Sequence, residues 1–91
     1  MEIKYTKQFL NKLEDLFSET DYHLRYEKGS FNSGYCILRN TKVAVVNKYY
    51  TTEGKINCLL EILRSIQVEP DGLTDKNKKL YFSLQQTTIE L

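Results

Sequence analysis

Residues 22–50 constrain this chain most, because they read as three consecutive strands and the last two are apolar on both faces. In Tyr35-Cys36-Ile37-Leu38, alternation puts Tyr35 and Ile37 on one side and Cys36 and Leu38 on the other, and Val43-Ala44-Val45-Val46 divides the same way. A small antiparallel sheet with one wet face alternates apolar and polar residues instead. Each face of this hairpin therefore needs a cover. The flanking helices supply one cover, over a set such as Tyr35, Ile37, Val43 and Val45. The other set, Cys36, Leu38, Ala44 and Val46, needs a third helix or a second copy of the chain. A symmetric dimer places one self-complementary patch against its copy, so a homodimer is expected.

The segments around the hairpin complete the expected architecture. Phe9, Leu10, Leu13, Leu16 and Phe17 recur at helical spacing, with Thr6 placed to cap a helix from about Thr6 to Ser18. Tyr22, Leu24 and Tyr26 alternate with His23, Arg25 and Glu27, the pattern of a half-buried strand over 22–27. The second strand runs from about Gly34 to Arg39 and the third from Lys42 to about Lys48, joined by a tight turn at Asn40-Thr41. Thr51 can cap a second helix striped with Ile56, Leu59, Leu60, Leu63 and Ile66. Gly54 in its first turn is a local cost unless a close backbone contact uses it. Glu69-Pro70-Asp71-Gly72 breaks the chain, and Thr74 and Asp75 open a third helix to about Gln85, although the alternation Leu80, Phe82, Leu84 also permits a strand. The tail Thr87–Leu91 can fray or pair. The order is α-β-β-β-α-α. Short connections predict a single α+β domain over residues 1–91, a three-stranded antiparallel meander with helices packed against it.

Composition narrows the function classes. Net charge is +1, so no global field draws the chain to nucleic acid or anionic lipid. The sheet segment 20–50 is mildly basic, with Arg25, Lys28, Arg39, Lys42 and Lys48 against Asp21 and Glu27. No apolar run reaches signal-peptide or membrane-span length, which predicts a cytoplasmic protein without a membrane partner. Cys36 and Cys58 fall in apolar segments and are expected as free, buried thiols in a reducing compartment.

The same residues offer little chemistry. His23 is the single histidine and neither cysteine has a neighbour at ligand spacing, so no metal site is expected. A nucleophile pair of Cys36 with His23 on an adjacent strand is conceivable, but an apolar setting raises a thiol's pKa and makes it inert. No catalytic residues are assigned. The connection 27–34 holds two glycines and presents Lys28, Ser30, Asn32 and Ser33 as donors, with Phe31 between them. It lacks the order of a Walker loop or a dinucleotide fingerprint, and no cofactor is expected. Five of the seven tyrosines lie between Tyr22 and Tyr50. The candidate binding surface is accordingly Arg25, Lys28, Ser30, Phe31, Asn32, Lys48, Tyr49 and Tyr50. Tyrosine serves equally at protein interfaces and as a stacking platform for nucleic acid.

Two resemblances attach to these residues. The order α-β-β-β-α resembles that of the double-stranded-RNA-binding domain, which implies a phosphate grip at the start of its second helix. Here that position reads Thr51-Thr52-Glu53-Gly54-Lys55, with one lysine and one acid, and the anionic clamp is missing. The blocks Leu24-Arg25-Tyr26-Glu27-Lys28-Gly29, Ser33-Gly34-Tyr35-Cys36 and Val45-Val46-Asn47-Lys48 look like a family of small, uncharacterised bacterial proteins. That resemblance implies a cytosolic α+β domain and brings no catalytic or binding residues. The expected function is a non-catalytic protein-interaction domain acting as a homodimer. The alternative is a nucleic-acid-binding module using the basic, tyrosine-rich sheet and the 28–34 loop.

Overall fold

A computed structural model describes residues 3–29 and 34–87. Among them are helix α1 (Lys7–Ser18), strands β1 (His23–Glu27), β2 (Tyr35–Leu38) and β3 (Val43–Asn47), helix α2 (Thr52–Ser65), a 3-10 turn at Pro70–Gly72 and helix α3 (Asp75–Thr87). The α+β class and its element order follow the sequence pattern. Thr6 and Thr51 cap α1 and α2 through their hydroxyls, which accept from the Phe9 and Gly54 N–H groups. Residues 75–87 are helical, and Tyr81 and Leu84 turn into the core while Phe82 stays exposed.

The sheet is not an antiparallel meander. Its strand order is β1-β3-β2, with β1 parallel to β3 and β2 antiparallel to β3. Val43-Ala44-Val45-Val46 is the most apolar strand and takes the central place, where both of its edges are hydrogen-bonded and both faces can be shielded. β1 is polar on alternate residues and goes to an edge. The connection from β1 to β2 is longer than a hairpin turn, so it can pass over the end of β3. The β2–β3 turn also differs from expectation. It spans residues 39–42, and Lys42, rather than Asn40, takes the positive φ of 56°.

Register sorts the strand side chains into two faces. Leu24, Ile37 and Ala44 form one row facing the helices, and Tyr26, Tyr35 and Val46 form the next. Ala44 and Val46 are fully buried there, under a core built by Leu13, Leu16, Phe17, Ile56, Leu59 and Ile62. Burying each large side chain contributes about 1.5–3 kcal/mol, so this layer carries the fold. The expected grouping of Val43 and Val45 with Tyr35 and Ile37 is wrong: with Leu38 opposite Val43, β3 contributes Ala44 and Val46 to the core. Val43 and Val45 lie on the outer face with Cys36 and Leu38.

α1 lies against β1 and α2 against β3, while α3 packs on α1 and on the Pro70–Gly72 turn. A polar seam ties α3 down. The Glu19 carboxylate accepts the Thr74 N–H at 2.8 Å, and the buried Asn77 amide donates to Asp15 at 3.1 Å. The Thr74 backbone hydrogen bond, and then the Asn77 amide, hold the Glu19 carboxyl below its ordinary pKa.

Candidate interaction surfaces

β1 and β3 run parallel, so their C-terminal ends meet at one edge of the sheet, where α2 also begins. Part of the expected surface assembles there. Lys28 follows Glu27 and Lys48 follows Asn47, the last residues in register, and the Lys48 N–H donates to the Glu27 carbonyl at 3.1 Å. Lys48 and Tyr49 are exposed, with the Lys48 ammonium 5.2 Å from the centre of the Tyr49 ring. Ser30, Phe31 and Asn32 fall outside the described residues. Arg25 does not join this group: it sits on the outer face opposite Val45 and is ion-paired to Glu27 at 2.6 Å.

Three residues organise this end, Asn47, Gly34 and Gly54, and none of them was in the expected surface. Asn47 holds both shoulders of the 29–34 connection. Its side-chain amide donates to the Gly29 carbonyl at 3.2 Å, and its backbone N–H donates to the Gly34 carbonyl at 2.9 Å. Its side-chain oxygen accepts the Tyr49 N–H at 3.0 Å and fixes the turn out of β3. Gly34 and Gly54 flank the Tyr50 ring. A Cβ on Gly34, whose φ is +84°, would collide with Tyr50 Cε2, and one on Gly54 would stand 2.9 Å from Tyr50 Cδ2. Gly54 therefore has the close contact that its place in a first turn requires. The available sequence signal was an asparagine ending an apolar strand and a glycine in a helix start.

The outer face of the sheet carries His23, Arg25 and Glu27 from β1, Val43, Val45 and Asn47 from β3, and Cys36 and Leu38 from β2. Its apolar residues stand outside the core that the described helices build. Val45 at its centre is nevertheless only 7% exposed, while Leu38 is 46% exposed. The apolar surface offered is thus Leu38 with the half-buried Val43 and Cys36, smaller than the sequence implied.

The conceivable nucleophile pair of Cys36 with His23 does not come together. His23 and Cys36 lie on opposite edge strands with β3 between them, not on adjacent strands. Two strand spacings of about 4.8 Å and a two-residue offset hold them roughly 12 Å apart. Cys58 is buried on α2, and burial pushes its thiol upward in pKa. Burial, followed by the hydrogen bond to Glu14, likewise raises the Tyr26 phenol, which donates to that carboxylate. A groove of about 620 Å³ between the end of α2 and α3 is walled by Leu60, Leu63, Ile66, Tyr81 and Leu84, and Arg64 is its single charged lining residue. Among the described residues no cluster of histidine, cysteine and carboxylates could hold a metal, and no helix is long and apolar enough to cross a membrane. No protein family, curated protein or solved structure matches this chain.

Proposed function

We propose that this protein is a small, non-catalytic protein-interaction domain that pairs with a second copy through the outer face of its sheet. The observation that carries the reading is that Cys36, Leu38, Val43 and Val45 all stand outside the core that the described helices build, with Leu38 exposed beside the half-buried Val43 and Cys36. Charge supports a copy as the occupant. Arg25 and Glu27 neutralise each other within the face, so two such faces meet without net repulsion. The same pairing takes Arg25 from the free cations available to the alternative of nucleic acid on a basic sheet.

Size sets the strength of the pairing. Strands of four and five residues spaced about 4.8 Å apart give a footprint of roughly 200 Å², against about 800 Å² per partner in a standard interface. The dimer therefore belongs to the weak, exchanging class, with a dissociation constant on the order of 100 µM. Sedimentation equilibrium up to about 1 mM tests this. Leu38→Lys removes about 1 kcal/mol of burial from each copy, and the two losses together weaken the dimer about 30-fold while far-UV circular dichroism stays unchanged. A wild-type chain that remains monomeric throughout the range refutes the reading. Gel shifts at low and high salt test the alternative, and salt-sensitive binding of DNA or RNA would favour it.

A further inference from the structure

Among the described residues, no strand pairs with the edge of β1 that faces away from β3. The His23 N–H donates to the Lys42 carbonyl at 2.9 Å and the Glu27 carbonyl accepts the Lys48 N–H at 3.1 Å, so residues 23, 25 and 27 turn their backbone groups toward β3. Alternate residues of a strand turn theirs the opposite way. Leu24 and Tyr26 therefore point two N–H and two C=O groups off the sheet, and no described residue bonds them. Tyr22, the next in that row, is already satisfied, because its N–H donates to Thr20 Oγ1 at 3.2 Å.

A groove of about 490 Å³ runs along this edge between β1 and α1, lined by Glu14, Phe17, Ser18, Thr20, Leu24 and Tyr26 among others. Glu14 is its one carboxylate. It is half-buried, receives the Tyr26 hydroxyl, and has no ion-pair partner among the described residues. Lys55 lies over the Tyr26 ring, its ammonium 5.1 Å from the ring centre, without an ion pair to Glu14. Glu14 is thus the acidic group that a basic side chain can meet in this groove, which His23 also lines.

We propose that this groove is a docking slot for an extended segment of another protein, which adds beside β1 as a fourth strand and presents a lysine or arginine to Glu14. Only an extended backbone supplies donors and acceptors at the two-residue period that Leu24 and Tyr26 set. The slot selects against a second copy of this chain. Antiparallel pairing of two β1 edges centred on Arg25 places Arg25 opposite its equivalent, and it crowds two α1 helices into one layer. A single strand brings neither obstacle. The outer-face dimer uses a different surface, so the two readings stand or fall separately.

The test begins with selection of nine-residue peptides from a displayed random library against the whole chain. Selected peptides are expected to carry a basic residue and to slow hydrogen exchange of the Leu24 and Tyr26 amides at least tenfold. Glu14→Gln weakens them about tenfold. Leu24→Pro removes an outward N–H that the β1–β3 ladder does not use, and it abolishes binding; if that variant does not fold, the Glu14→Gln result and the exchange pattern decide. Failure to select any peptide overturns the proposal. So do selected peptides that leave these two amides unprotected, or protection that appears with protein concentration alone.

Discussion

Gly54→Ala probes the packing at the end of the sheet, and general helix propensity predicts the wrong sign for it. Gly54 lies in the first turn of α2, and an alanine in a helix is worth up to about 1 kcal/mol over glycine. Its N–H bond to Thr51 survives the change. Against this stands the Tyr50 ring: the new methyl would lie 2.9 Å from Cδ2 and 3.3 Å from both Cβ and Cγ. Those last two atoms are the root of the side chain, so the ring cannot simply swing its tip away. Gly34 stands against the other end of the ring, at Cε2, Cζ and the hydroxyl, and limits how the ring can slide. Overpacking of this kind costs about 1–3 kcal/mol, and the net expectation is a loss of about 1 kcal/mol.

Urea unfolding followed by circular dichroism reads this directly. With a slope near 1 kcal/mol/M for a chain of this size, the midpoint falls by about 1 M. In a Tyr50→Ala background the obstacle is gone, and the same Gly54→Ala change stabilises by up to about 1 kcal/mol. The double-mutant cycle then gives a coupling of about 2 kcal/mol between positions 50 and 54. A Gly54→Ala protein that is more stable than wild type with Tyr50 in place refutes the argument.

Two further outcomes follow from side chains that hold elements together. Asn47→Ala breaks the bonds to Gly29 and Tyr49 and lowers stability by about 1–3 kcal/mol in the same unfolding assay. Glu19→Gln removes a carboxylate whose pKa folding depresses, so the wild type holds an advantage at pH 7 that fades as pH falls below about 4.5 and through the lowered folded value; thermal unfolding from pH 7 to pH 2 should show the two proteins converging at the acid end.

Element type was legible because it rests on local patterns. The stripes of α1 and α2, the two threonine caps and the alternation of β1 each reflect what one segment can bury by itself. Strand neighbours were not legible, because they depend on which strand wins the centre. The continuous apolar run of β3 and the length of the 28–34 connection carried that information, but the habit that consecutive strands pair outweighed it. The hairpin's register was recoverable too. Any pairing that sets Leu38 opposite Val43 puts Ala44, not Val43, on the Ile37 side. Asn77 and Glu14 were invisible for a different reason: each acts through a partner on another element, Asp15 for one and Tyr26 for the other.

The identity of the central strand also determines which surfaces the chain can offer. In a meander, β2 would lie between β1 and β3, and the free edges would be the outer sides of β1 and β3. With β3 inserted, its backbone is consumed on both sides, and β1 and β2 are the edge strands of the described sheet. Lys48 and Tyr49 then extend from the strand that is already saturated, so they can contribute side chains to an encounter but no backbone pairing. Leu24 and Tyr26 of β1 keep outward backbone groups that no described residue bonds, in the groove that Glu14 also lines. The strand order thus shifts the proposed contact surfaces from the tyrosine-rich end of the sheet, where residue type alone suggested them, to the β1 edge and the outer face around Leu38.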